Sequence, residues 1–334
     1  MTAPDTATPL LSVQGLTAWV RDVRGVLRPA RDLTLEIRAG ETVGLVGESG
    51  TGKSLAARAM IGLLPADAGI ESGTLAWEGT DLARMPARAL RRLRGREIAL
   101  MPQETPDLFD PFATVGTQLA RILRRQTGAG RGAARAAALE ALQLAGVDDP
   151  AARLGARPQL LPTGTRRRVL LAMALICKPR LLIADEPTSG LDKIAEADIL
   201  ALLAECRRDR GIAVLMISRD IAAAARLCDR VLIMYGGRIV ESGYMHEVMA
   251  APQHPYTRGL VASIPRGTWH DGMTPPIRGE AADLARLPTG CAFRPRCPEA
   301  DPACRGLQPL RLVEEARRVA CWRATIAAAG KPRP

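Results

Sequence analysis

Eight residues, Gly47-Glu48-Ser49-Gly50-Thr51-Gly52-Lys53-Ser54, constrain this chain more than any other feature. They fit the pattern G-x-x-x-x-G-K-[ST] and stand between an apolar run that reads as a strand, Thr42 to Val46, and a helical pattern, Ser54 to Leu64. Glycines let a backbone wrap a phosphate chain so that several N–H groups and a helix N-terminus face it. In that arrangement Lys53 reaches the β- and γ-phosphates and the Ser54 hydroxyl holds Mg²⁺. The chain is therefore expected to grip a nucleoside triphosphate and to be built around a strand–loop–helix unit.

A second element agrees. Leu181 to Ala184 is an apolar strand that ends in Asp185-Glu186, which puts Asp185 near the Mg²⁺ shell and Glu186 beside the γ-phosphate, where it can polarise an attacking water. Gln103, after the strand Ile98 to Met101, is a further candidate contact to Mg²⁺ or water. Short strands are also expected at Leu11–Val13, Leu16–Val20, Leu33–Ile37 and Ile212–Ile217, and helices at Arg166–Cys177 and Lys193–Asp209. Ala113 to Ala145 reads as a helical insertion broken by a turn at Gly128–Gly132. Strands alternating with helices imply an α/β fold with a largely parallel sheet covered on both faces. After about Ala250, Pro and Gly rise and no long periodic segment is evident, so a domain boundary is expected there.

Composition narrows the function classes. The longest apolar run, Val169 to Cys177, is about half of what crosses a bilayer, so any membrane role is expected to be peripheral. Met1 to Leu10 lacks a basic stretch and an apolar core, which argues against secretion and for the cytosol. The net charge of +11 suits nucleic acid, an anionic membrane face or nucleotide phosphates by sign alone. Aromatic residues are only 3%, too sparse to interleave Arg88–Arg96 into a stacking platform for single strands, and the charge is expected to lie on solvated helix faces that also face acidic lipid headgroups. Of seven cysteines, Cys177, Cys206 and Cys228 lie singly in apolar or helical patterns and read as small packing residues. Cys291, Cys297, Cys304 and Cys321 crowd together with spacing C-x5-C-x6-C-x16-C. Disulfides are disfavoured in the cytosol, and four thiolates suit Zn²⁺ or an iron–sulfur cluster; the spacing alone leaves zinc, iron or no metal open.

These residues together resemble the ATP-binding subunits of ABC transporters. The order agrees: phosphate loop at 47–54, Gln103, a helical insert at about 104–165, a signature position near 161–165, Asp185-Glu186, and Ser189-Gly190-Leu191-Asp192. Pro252-Gln253-His254-Pro255-Tyr256-Thr257-Arg258-Gly259-Leu260 and Gly290-Cys291-Ala292-Phe293-Arg294-Pro295-Arg296-Cys297 are similar to the oligopeptide, dipeptide and nickel importer subfamily. The resemblance implies a P-loop NTPase cassette with a mixed sheet core, a helical subdomain and a small Cys-rich C-terminal extension, divided as 1–250 and 251–334. It implies an ATPase at the cytoplasmic face of the membrane that pairs with a second ATPase subunit and docks on two transmembrane permease subunits. Substrate would arrive through an extracytoplasmic solute-binding protein. It also implies a [4Fe-4S] cluster on the four late cysteines, adenine stacking by Trp19, and nucleotide contacts from Gly164 of the signature and Asp192.

Two positions depart from the family pattern. Where it has Leu-Ser-Gly-Gly-Gln, this chain has Leu161-Pro162-Thr163-Gly164-Thr165. Pro162 offers neither hydroxyl nor N–H, and Thr163 adds a Cβ where backbone should approach phosphate. Where the family has a switch histidine before Asp220, Arg219 stands. Arginine stays protonated and cannot share a proton with Glu186, although it can still hold a γ-phosphate. The expectation is a degenerate half of a heterodimeric ATPase pair that binds ATP and hydrolyses it weakly. Two other classes stay open: a soluble ATPase of this type acting on nucleic acid, and a regulatory subunit that binds nucleotide without turnover. The missing second cassette and missing coiled-coil insertion weigh against the nucleic-acid reading.

Overall fold

The computed structural model describes residues 8–103, 106–264 and 277–325; most of the Met1–Leu10 tail lies outside them. In chain order the elements are β1 (Leu11–Asp22), β2 (Gly25–Ile37), β3 (Thr42–Val46), α1 (Lys53–Met60), β4 (Ala68–Trp77), β5 (Thr80–Asp81), α2 (Ala87–Arg96), β6 (Ile98–Met101), α3 (Val115–Thr127), α4 (Arg131–Leu144), α5 (Pro150–Arg153), α6 (Thr163–Leu175), β7 (Leu181–Asp185), α7 (Lys193–Arg210), β8 (Ala213–Ser218), α8 (Ile221–Ala225), β9 (Arg230–Tyr235), β10 (Arg238–Tyr244), α9 (Met245–Ala250), α10 (Pro255–Ala262), β11 (Arg311–Glu314) and β12 (Arg317–Val319). They fall into two compact units, one of residues 1–12, 36–42 and 76–217 and the other of 13–35, 43–75 and 218–334.

In the first unit β6, β7 and β8 run parallel, with Ile98 opposite Leu181 and Leu181 opposite Ala213. β7 is buried along its whole length, as a parallel strand covered on both faces must be. The helical insertion reads as the sequence predicts. Thr114 caps α3 by accepting from the Thr117 N–H at 3.3 Å, and Gly128 ends it in the left-handed conformation at φ 76°. α7 begins on Asp192 and stops at Gly211, with Arg207, Arg208 and Arg210 in its last turn where the helix dipole favours cations.

In the second unit β3 runs parallel to β9, while β9–β10, β10–β12 and β12–β11 are antiparallel. β2, β1 and β4 form a separate antiparallel layer in that order. One expectation is corrected here. The strands expected at Leu11–Val13 and Leu16–Val20 are one continuous strand, since Gly15 takes a positive φ of 60° inside the ladder without ending it. The region after Ala250, expected to carry no long periodic segment, holds only short elements, the eight-residue α10 and the strand pair β11–β12, and β12 extends the β10 edge with Glu241 opposite Val319. Among the described residues no helix is long and apolar enough to cross a membrane. Cys206 and Cys228 are buried as expected, whereas Cys177 is only half-buried.

Candidate functional site

The phosphate loop leaves the fully buried β3 and enters α1 through Gly52, which sits at φ 98°. The Lys53 side chain is 6% exposed, and its ammonium donates to the carbonyls of Gly47 (2.6 Å) and Glu48 (2.9 Å). Thr51, buried, donates its hydroxyl to the Glu48 carbonyl at 2.8 Å. Ser49 and Gly50 form the exposed tip, and Ser54 lies half-buried in the first turn of α1. The loop is thus a closed turn with a cation at its centre and a helix N-terminus behind it, a nest suited to an anion. Arg219, exposed, follows β8 directly. The Gly47 N–H donates to the Ser218 carbonyl at 3.2 Å, which brings the Arg219 backbone next to the start of the loop. Asp220 caps α8, its Oδ1 accepting from the N–H groups of Ala222 (2.8 Å) and Ala223 (3.1 Å). Trp19 on β1 is half-buried with its ring against Gly69 of β4, where a Cβ would meet the indole Nε1 at 2.9 Å.

The acidic residues Asp185 and Glu186 lie in the other unit. Asp185 is 1% exposed at the tip of β7. Glu186 follows at φ 51°, a left-handed conformation rare for a side-chain-bearing residue, and its N–H donates to the Ile217 carbonyl at 3.0 Å. Such backbone strain is often kept at functional positions. Arg167 of α6, buried, donates to the carbonyls of Ser189 (2.7 Å) and Glu186 (3.5 Å), tying the helix behind the signature to the loop after β7. A cleft of about 550 Å³ is lined by Gln103, Phe109, Thr163, Arg166, Ser189 and Gly190, among others, so Gln103 and the signature segment share one surface. Pro162 occupies the N-cap of α6 without a side-chain cap, and the Arg166 guanidinium reaches back to the Leu161 carbonyl (2.9 Å) and the Thr163 hydroxyl (3.2 Å). Beyond its own helix and chain neighbours, nothing among the described residues lies within 4 Å of where a Gly164 Cβ would sit. Asp192 uses its Oδ1 to cap α7, accepting from Ile194 (3.0 Å) and Ala195 (2.9 Å).

The family model of ABC transporters matches residues 30–189. The oligopeptide transport ATP-binding protein OppD of Salmonella typhimurium is 37% identical over 96% of this chain and 96% of its own length. The chain belongs to the ABC transporter family. A second family model, the oligopeptide/dipeptide transporter C-terminal region, matches residues 240–304 of this ABC protein. The dipeptide transport ATP-binding protein DppD of Bacillus subtilis is 37% identical over 94% of each chain. Among solved structures, the ATP-binding cassette MJ0796, a dimer bound to ADP and Pi, superposes with a TM-score of 0.63 at 23% identity, covering 70% of this chain and 98% of that one. The cbiO1 subunit of Clostridium perfringens gives 0.60 at 25% identity, covering 73% and 91%. The P-loop cassette fold and the class, an ABC-type ATPase, are thereby shown.

The C-terminal region of this ABC ATPase is fastened by a buried ion pair. Glu241 on β10 is 0% exposed and Arg317 on β12 is 2% exposed. The carboxylate accepts from Arg317 at 2.6 Å and from the N–H groups of Gln253 (2.9 Å) and His254 (2.8 Å). His254 is itself buried; its Nδ1 accepts from the Tyr256 N–H at 3.1 Å, and burial pushes its pKa down to about 3. The unfolded chain therefore binds a proton near pH 6.5 that the folded chain refuses until about pH 3. Stability is expected to fall as pH drops through that window, by at most about 1.4 kcal/mol per pH unit. Urea midpoints between pH 7 and 5 check this, with a His254→Asn variant expected to flatten the slope.

Cys291, Cys297, Cys304 and Cys321 line one small cavity with His254 and Phe293. All four are free thiols, and burial raises those of Cys291, Cys297 and Cys321. A cluster needs converging thiolates. Yet among the described residues no group of three or more His, Cys, Asp or Glu side chains is placed to hold a metal ion. The four side chains surround a cavity of about 10 Å³, room for about one water, and neither the expected [4Fe-4S] cluster nor Zn²⁺ finds support in this arrangement.

Sequence reasoning missed Arg167, Glu241 and Arg317, whose partners lie far along the chain and leave no local pattern. Arg296 and Tyr256 stood in quoted motifs without a role.

Proposed function

We propose that this chain is the ATP-hydrolysing subunit of a peptide importer. The match of residues 240–304 to the oligopeptide/dipeptide C-terminal region carries the reading, and OppD and DppD, both named for peptide transport, support it. Peptide is favoured over nickel on the same ground. In this reading residues 1–250 bind nucleotide and 251–334 form a C-terminal region. The chain sits at the cytoplasmic face of the membrane on two permease subunits, served by an extracytoplasmic binding protein. The cleft beside Gln103, with Phe112 85% exposed nearby in sequence, supports permease docking. Lys53 and the loop N–H groups hold the β- and γ-phosphates and Trp19 the adenine. Mg²⁺ is a hard cation that needs few protein oxygens beside phosphate, which the Ser54 hydroxyl and the Asp185 carboxylate, with Gln103, fit. Glu186 polarises the water.

The chain works as the weaker half of a pair with a different ATPase subunit. Pro162 and Thr163 offer the opposing nucleotide no serine hydroxyl and a thicker backbone, and Arg219 cannot accept a proton at this chain's own site. Restoring Arg219→His is expected to raise single-turnover hydrolysis at this chain's site by about 100-fold, the lower end of general acid–base effects. The assay uses the reconstituted complex with the partner's catalytic carboxylate neutralised. An unchanged rate would remove the claim of degeneracy, and absence of peptide-stimulated ATPase in proteoliposomes would remove the importer assignment.

A further inference from the structure

An acidic residue inside a phosphate loop is electrostatically adverse, because its carboxylate faces the same anions the loop must attract. Glu48 is such a residue, and a counter-charge from a distant segment is on it. The Arg296 guanidinium donates to its two carboxylate oxygens at 2.6 and 3.0 Å, with the Arg296 side chain 8% exposed and that of Glu48 23%. Two parallel N–H···O bonds are the strong form of this pairing. Arg296 is held in turn by the Arg278 carbonyl (2.7 Å) and the Tyr235 hydroxyl (3.3 Å). Burial opposes its charge, but the Glu48 and Tyr235 contacts carry its pKa above the ordinary arginine value. The Glu48 N–H donates to the Tyr256 hydroxyl at 2.9 Å. Tyr256, Tyr235 and Phe293 pack ring against ring at 4.6 to 5.4 Å. The carbonyl of this same Glu48 accepts from Lys53. Both faces of the first turn of the loop are therefore fixed, one by Lys53 and one by residues of the C-terminal region.

We infer that Arg296 is a positioning residue of the nucleotide site: acting through Glu48, it cancels the loop's one negative charge and holds the turn in its phosphate-binding shape. The inference rests on the nucleotide site at Gly47–Ser54 and adds to it a residue outside the cassette. Removing the guanidinium exposes a carboxylate to the triphosphate, and ATP suffers more than ADP because it carries more charge. Neutralising Glu48 as well removes the repulsion and restores binding.

The test measures Mg-ATP and Mg-ADP dissociation constants of the full chain by titration calorimetry, at low and high salt, with thermal melts to confirm folding. Arg296→Gln is expected to weaken ATP about ten-fold and ADP less, the loss shrinking with salt. Glu48→Gln with Arg296→Gln is expected to return within about three-fold of the parent, as is Arg296→Lys. Parental affinity in Arg296→Gln, or a double variant no better than the single, overturns the inference; a merely structural role would not give rescue by a second neutralisation. Should Arg296→Gln not fold, the double variant and Arg296→Lys carry the comparison, and a ten-fold loss in either overturns it. If the parent chain itself binds no nucleotide, the site reading fails instead.

Discussion

Gly52→Ala is expected to abolish measurable ATP binding and to cost about 2–3 kcal/mol of stability. The backbone at Gly52 has φ 98°, outside what an L side chain adopts readily, and a Cβ there would lie 2.0 Å from the Pro29 carbonyl oxygen. The obstacle is main chain in β2, so no rotamer change relieves it. The turn that aims N–H groups at phosphate must open, and α1 loses its entry. Gly50 is the internal control. It also has a positive φ, 78°, but among the described residues nothing lies within 4 Å of its Cβ position. Gly50→Ala is expected to cost about 1 kcal/mol, the strain alone, and to keep ATP binding. Equal effects of the two variants, by calorimetry and urea unfolding, would show that backbone conformation and not the clash with Pro29 governs the loop.

Arg317→Met is expected to lower stability by about 3–5 kcal/mol, because it leaves the Glu241 carboxylate buried and uncompensated. The two N–H groups from Gln253 and His254 still point at it, but neither carries charge. Arg317 also donates to the Ala251 carbonyl and stands 3.7 Å from Glu314, so its removal also loosens the turn end of the β11–β12 hairpin and its tie to the segment after α9. The double variant Glu241→Leu with Arg317→Met is expected to be the milder, since replacing both charges by apolar groups removes the desolvation penalty as well as the attraction. It still orphans the Gln253 and His254 N–H groups, which holds the recovery to about half. Urea midpoints of the two variants decide. A double variant as unstable as the single would place the cost in lost packing of Arg317 rather than in a stranded charge.

Much of the backbone around the Gly47–Ser54 loop was legible in sequence because its signals are local. β3 spans Thr42–Val46 as expected, and the glycines of the loop fall where positive φ is needed at positions 50 and 52. The predicted helix from Ser54 to Leu64 stops at Met60, since Gly62 turns left-handed at φ 63°. Helix α6 starts three residues before the expected Arg166, a boundary that proline at an N-cap obscures. The caps on α7 and α8 are not read from the sequence because Asp192 is taken there for a nucleotide contact and Asp220 only marks the place of Arg219, although an aspartate ahead of an apolar helical run is equally an N-cap. The C-terminal region was the least legible. β12 is three residues long, too short to show a period, and is held by a partner 76 positions away. Arg296 sits among cysteines that drew attention to metal, while its side chain serves a loop 248 positions earlier.

That separation sets an order of events during synthesis. A chain emerging from the ribosome presents its phosphate loop 208 residues before Tyr256 and 248 residues before Arg296, so Glu48 waits through that stretch of translation without its two distant partners. If Arg296 positions the loop as inferred, a polypeptide released before that residue is made, with every cassette motif present, would keep an unbalanced carboxylate at Glu48 beside the phosphates.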